Sequence, residues 1–155
     1  MRRRRDPRGR WIAALRLLVA LTLAFIWGNS LLSMQASDQV STGFLAYIRP
    51  LLELFVGTGN VTDHLVRKLA HFTEYAALGG ELAALAALDE HLSWQGLANC
   101  LSAGLAVAVT DESIQLLSQR GSALTDVLLD FSGAVTGVAV AWAIAAAIRH
   151  HKHTA

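Results

Sequence analysis

An all-α, polytopic membrane protein with four transmembrane helices and an outer amphipathic helix between the first and the second is the fold class predicted by three observations. First, 54% of the 155 residues are hydrophobic and the mean hydropathy is +0.41, more apolar surface than a soluble domain of this size buries. Second, the apolar residues gather in four stretches, each long enough or nearly long enough to cross a hydrocarbon layer about 30 Å thick. Third, the charged and polar residues inside these stretches fall at few places, and chain alternation brings those places to one end of the bundle. Two prolines, no long Gly/Ser-rich tract and no internal repeat leave a single helical domain over 11–148, with a basic arm over 1–10 and a short tail over 149–155.

Trp11 to Leu32 reads as the first span, with Arg16 near enough to its start to snorkel to the interface. A cleaved signal peptide has the same three-part grammar, but this apolar run exceeds most signal cores. After a polar segment from Ser33 to Asp38, Phe44, Ile48, Leu51, Leu52 and Phe55 recur at helical spacing, which predicts an amphipathic helix lying on the membrane or over the bundle. Gly57 to Asn60 breaks the chain, and Thr62 or Asp63 is placed to cap a second span reaching about Leu88. Asp89, Glu90 and His91 form a turn. The third span runs from about Gly96 to Leu117 and the fourth from about Asp126 to Ile148, joined by a turn with Arg120-Gly121-Ser122 at its tip.

Charge orients these spans. Of the thirteen Lys and Arg residues, seven (Arg2, Arg3, Arg4, Arg5, Arg8, Arg10 and Arg16) precede or open the first span. With the amino terminus inside, Arg149 and Lys152 join them, against Arg49, Arg67, Lys68 and Arg120 outside. Positive residues flanking spans favour the cytoplasmic face, so both termini are expected there, in a bacterial plasma membrane. The basic arm is followed by no base-reading module, which argues against a nucleic-acid partner. Cys100 lies within an apolar stretch and reads as a small hydrophobe.

The polar set then faces outward. Lys68, His71, Glu74 and Tyr75 sit three and four apart, on one face within roughly 10 Å of helix axis. Asp111 and Gln115 share a face of the third helix, with Glu112 at its edge. Asp126, Asp130, Gly133 and Gly137 form a stripe on the fourth, and the two glycines match the spacing that lets membrane helices approach closely. Leucine at either glycine is expected to disrupt that contact, and alanine to do so more mildly. Five acids (Glu74, Asp111, Glu112, Asp126 and Asp130) face only Lys68 and Arg120, with Arg67 a further base. The surplus has to protonate, attract a cation or polar headgroup, or reach water.

Several chemistries fit this pattern. A ligand-free polar clasp would satisfy the groups among themselves. No cofactor is expected, although His71 and Glu74 have helical ligand spacing that a carboxylate from Asp111, Asp126 or Asp130 completes for a divalent cation. His71 with Glu74 or Asp111 also has the makings of a base and its orienting acid. No nucleophile elbow, phosphate loop or dinucleotide fingerprint is present.

The run Val66-Arg67-Lys68-Leu69-Ala70-His71-Phe72-Thr73-Glu74-Tyr75-Ala76-Ala77-Leu78-Gly79 closely resembles the signature of the VanZ-like membrane proteins. Asp111-Glu112-Ser113-Ile114-Gln115, Arg120-Gly121, Asp126-Val127 and Gly133 to Gly137 follow in the family's order, so that the resemblance covers about residues 25 to 145. It implies Lys68, His71, Glu74, Tyr75, Asp111, Glu112, Gln115, Arg120, Asp126 and Asp130 as the family's polar positions, and departs from the pattern at Asp130, where an amide is frequent. Founding members are associated with resistance to teicoplanin, a lipoglycopeptide that binds cell-wall precursor termini. The resemblance therefore implies a protein engaging an envelope lipid, a lipid-linked cell-wall precursor or a lipoglycopeptide, with an intramembrane lipid-modifying enzyme or a small transporter as alternatives.

Overall fold

The computed structural model describes residues 7–31, 50, 53–54, 57, 61–89, 93–118 and 123–154. The described residues form four long helices and no strand: α1 (Pro7–Leu31), α2 (Asp63–Leu88), α3 (Trp94–Leu117) and α4 (Leu124–Thr154). Two helix starts follow from local chemistry. The Thr62 hydroxyl accepts from the Leu65 backbone N–H at 3.2 Å, and the Ser93 hydroxyl accepts from that of Gly96 at 3.1 Å. Each cap satisfies an amide that the helix itself leaves unpaired. α1 begins four residues before the apolar run, and α4 carries the basic tail on as helix.

Side-chain pairings set the helix directions. Arg8 donates from Nε and Nη2 to the Leu88 carbonyl at 2.9 and 2.6 Å, Arg16 lies 3.7 Å from Asp89, and Thr22 donates to Glu81 at 2.9 Å, so α1 and α2 run antiparallel. The far end of α1 meets the far end of α3, where Ser118 donates to the Ser30 carbonyl at 3.0 Å. On α4, Gly133 lies against Phe72 and Gly137 against Ala76, so residue numbers rise together and α2 and α4 are parallel. The four helices therefore alternate in direction.

The most extensive contact joins α2 to α4, and α2 also touches α1 and α3. Small residues make the contact close. A Cβ built at Gly137 would fall on the Ala76 carbonyl oxygen, one at Gly133 on that of Phe72, and one at Gly79 on that of Ala134. Even alanine therefore meets backbone at these positions, a tighter fit than the glycine spacing alone implied. Beneath this contact Tyr75, Leu78, Ala108, Ala134 and Ile26 form one buried core, while Ala83, Cys100 and Val138 form another. Away from it, Trp11, Leu17, Leu18, Leu21 and Phe25 on α1, and Leu128, Val140, Ile144 and Ile148 on α4, are exposed. That outer surface suits hydrocarbon.

One expectation is corrected. Three helices among the described residues, α1, α3 and α4, are long and apolar enough to cross a membrane, rather than four. α2 has the length, at 26 residues, but its polar burden of Asp63, His64, Arg67, Lys68, His71, Glu74 and Glu81 lowers its hydropathy. The other three helices pack against it and leave Arg67, Lys68, His71, Glu74 and Glu81 half-buried, with Asp63 and His64 exposed at its start. The outer amphipathic helix lies mostly outside the described residues. Pro50, Glu53 and Leu54 are helical, and Gly57, at φ 88°, closes a turn by donating to the Glu53 carbonyl at 3.0 Å. That left-handed backbone is one that glycine adopts without steric cost.

Candidate functional site

The polar groups converge where α1 and α3 end and α2 and α4 begin. Asp111 of α3 is its fully buried centre, at 0% exposure. Ser30 donates to Asp111 Oδ1 at 2.5 Å, and Gln115, one turn along α3, donates from Nε2 to Oδ2 at 3.1 Å and lies 3.4 Å from the Ser30 hydroxyl. The i, i+4 relation puts Gln115 over Asp111, and α1 brings Ser30 in from the side. This part of the site is closed and well donated.

Asp130 is different. It sits on α4 at 1% exposure, just before the glycines that draw α4 against α2, and neither of its carboxylate oxygens has a hydrogen-bond partner. His71 of α2 stands between the two aspartates, its Nδ1 3.7 Å from Asp130 Oδ1 and 4.0 Å from Asp111 Oδ2. Both separations exceed the 2.7–3.2 Å or so of an N–H···O hydrogen bond. Asp111, Glu112, Asp126 and Glu74 all act repulsively on Asp130. A buried carboxylate without donors, among other carboxylates, is costly unless it takes up a proton or a cation reaches it.

Of the residues expected from sequence, Lys68, His71, Glu74, Tyr75, Asp111, Glu112, Gln115, Asp126 and Asp130 all lie at this end of the bundle. Lys68 Nζ is 3.5 Å from Asp126 Oδ1 at the rim, with the two side chains 37% and 34% exposed. Glu74 and His71 are half-buried and Glu112 is buried. Tyr75 is fully buried, and its hydroxyl approaches Asp111 without hydrogen-bond geometry. Arg120 lies outside the described residues. Lys68 is thus spent at the rim while the aspartates occupy the floor.

Sequence reasoning missed Ser30. It lies in an apolar run, where a single hydroxyl reads as a neutral passenger; its level in the membrane, equal to that of Asp111, was the available signal. It also missed the pairing of Glu81 with Thr22, which ties the middle of α1 to the latter part of α2 and leaves Glu81 Oε2 buried without a hydrogen-bond partner among the described residues.

The family model for VanZ/LLP1 matches residues 11–146, nearly the whole of the four-helix unit, so the chain belongs to the VanZ/LLP1 family. No curated protein and no solved structure matches it.

Proposed function

We propose that this VanZ/LLP1-family protein sits in a bacterial cytoplasmic membrane with both termini inside, α2 crossing beside the three more apolar helices, and that its outward polar end engages the headgroup of an envelope lipid or lipid-linked cell-wall precursor. The observation that carries this reading is the gradation of the site. Lys68 and Asp126 stand one-third exposed at a rim, His71 and Glu74 are half-buried below, and Asp111 and Asp130 are buried at the floor. A headgroup with both phosphate and amine or hydroxyl groups would find a base at the rim and acceptors beneath it, while its acyl chains lie along the exposed apolar faces of α1 and α4. A lipoglycopeptide meets the same chemistry with its own acyl chain, which is how teicoplanin-type resistance would arise in a member of this family.

Mass spectrometry of lipids that copurify with the detergent-solubilised protein tests this. Wild type is expected to retain a defined headgroup class that Glu74→Gln and Lys68→Ala lose while remaining folded. Retention of bulk membrane lipids in unchanged proportion by all three would refute it. One observation favours a second reading: an imidazole between two carboxylates is the arrangement of a general base with its orienting acid. Turnover of the retained lipid, abolished in His71→Gln, would make the protein an intramembrane enzyme.

A further inference from the structure

We propose that His71 Nδ1, Asp111 Oδ2 and Asp130 Oδ1 form a three-ligand site for one divalent cation of the zinc class. Each of the three residues offers a ligand atom within 4.8 Å of the other two, and they come from three different helices. Three donors held about 2.1 Å from an ion at tetrahedral angles stand about 3.4 Å apart. The observed 3.7 and 4.0 Å require the imidazole to close by about half an ångström on each carboxylate, and the two carboxylates, within 4.8 Å of each other, to close on the ion as well. The same separations are too long for hydrogen bonds, so they suit an ion between the groups better than a proton.

Asp130 supplies independent support. It is buried, both its oxygens lack hydrogen-bond donors, and one of them points at the imidazole nitrogen. Charge agrees, because a neutral imidazole and two carboxylates carry a charge of minus two, which a divalent ion cancels in a medium that tolerates little net charge. Ser30 and Gln115 supply the surrounding support that metal ligands need. They fix the Asp111 carboxylate through both oxygens, and Oδ2 keeps a second lone pair for the ion. One nitrogen and two oxygen donors favour zinc, whose fourth position an outside ligand would fill, over magnesium or calcium, which take more oxygens. His71, 21% exposed, marks the entry side. The site does not depend on the lipid reading; a metal-bound fourth ligand, such as a headgroup phosphate oxygen, would join the two.

The test uses the full-length chain with His150, His151 and His153 replaced by asparagine, so that the histidine-rich tail contributes no binding. After stripping with chelator and dialysis, Zn²⁺ alone is titrated by calorimetry, and the bound ion is counted by mass spectrometry. One Zn²⁺ per chain is expected, bound at least a hundredfold more tightly than Mg²⁺ or Ca²⁺. Asp130→Asn and His71→Ala are expected to weaken it at least tenfold, and Glu81→Gln, whose carboxylate lies outside the triad, to leave it unchanged. Co²⁺ substituted into the unmutated triad should give the intense visible bands of a four-coordinate site, a readout that does not require any variant to fold. Absence of a stoichiometric ion, equal binding by Asp130→Asn, preference for Mg²⁺ or Ca²⁺, or six-coordinate cobalt spectra would each overturn the proposal. Because metal and lipid are measured separately, loss of either leaves the other result standing.

Discussion

Gly137→Ala sets two opposed effects against each other. In a helix interior, alanine gains about 1 kcal/mol over glycine from reduced backbone entropy. At Gly137, however, the added methyl would land on the Ala76 carbonyl oxygen and within 2.8 Å of the Gly80 amide nitrogen. No flexible side chain is present to yield, so α4 must move away from α2. Overpacking a tight interior costs up to about 3 kcal/mol, and here the shift also loosens Gly133 against Phe72 and Gly79 against Ala134. A net destabilisation of roughly 2 kcal/mol follows. Two controls isolate the cause. A Cβ at Gly80 would sit 3.8 Å from the Gly137 carbonyl oxygen, and one at Gly28 meets nothing within 4 Å. Gly80→Ala and Gly28→Ala are therefore expected to be neutral or to stabilise by up to about 1 kcal/mol. Reversible unfolding in mixed detergent micelles, followed by circular dichroism, measures all three. Equal stability of Gly137→Ala and Gly28→Ala would refute the close contact.

Ser30→Ala removes a hydrogen bond to a buried carboxylate and is expected to cost roughly 1.5–3 kcal/mol, whereas Ser113→Ala, whose exposed hydroxyl bonds only to the Val109 carbonyl of its own helix, should be silent in the same unfolding assay. The Lys68–Asp126 pair is about one-third exposed, so a double-mutant cycle should return a coupling below about 1 kcal/mol; a larger value would mean that the rim is drier than its exposure indicates. Single cysteines at Ser122 and His151 in a Cys100→Ala background should react with a membrane-impermeant reagent in intact cells at Ser122 alone, and labelling at His151 would invert the orientation.

Much of this architecture was legible because water and lipid impose simple rules. Apolar runs separated by Gly57-Thr58-Gly59-Asn60 and by the 89–91 turn mark the helices, and the i, i+3 and i+4 spacings of His71, Glu74 and Tyr75 place them on one broad face. Gly133 and Gly137 announced a close approach by their spacing. Their partners were not legible, since Ala76 and Gly80, which face Gly137, sit in a stretch rich in small residues where nothing singles them out, and Phe72, which faces Gly133, reads as one more apolar residue. Three-dimensional register is also what makes Ser30 a donor to Asp111 and Arg8 a cap for the Leu88 carbonyl, across separations of 81 and 80 residues. Sequence spacing paired His71 with Glu74 and left open which of Asp111, Asp126 and Asp130 lies near them; packing brings His71 beside Asp111 and Asp130, because neighbours in space are set by how helices pack. The second span, Asp63–Leu88, was over-read for a related reason: length and outline identify a helix, whereas apolarity along its whole circumference is needed only by a helix that meets lipid on every side.

That last property bears on how the chain is made. α2 is too polar to partition into hydrocarbon on the terms open to α1, α3 and α4, and the surface that suits it best, the small-residue stripe of α4, is synthesised after it. On the proposed crossing of α2, its place in the bilayer would depend on the arrival of α4, with the Arg8 and Thr22 contacts of α1 as interim support. Membrane insertion and tertiary packing, separable stages for a helix that is greasy all round, would then be one event for α2.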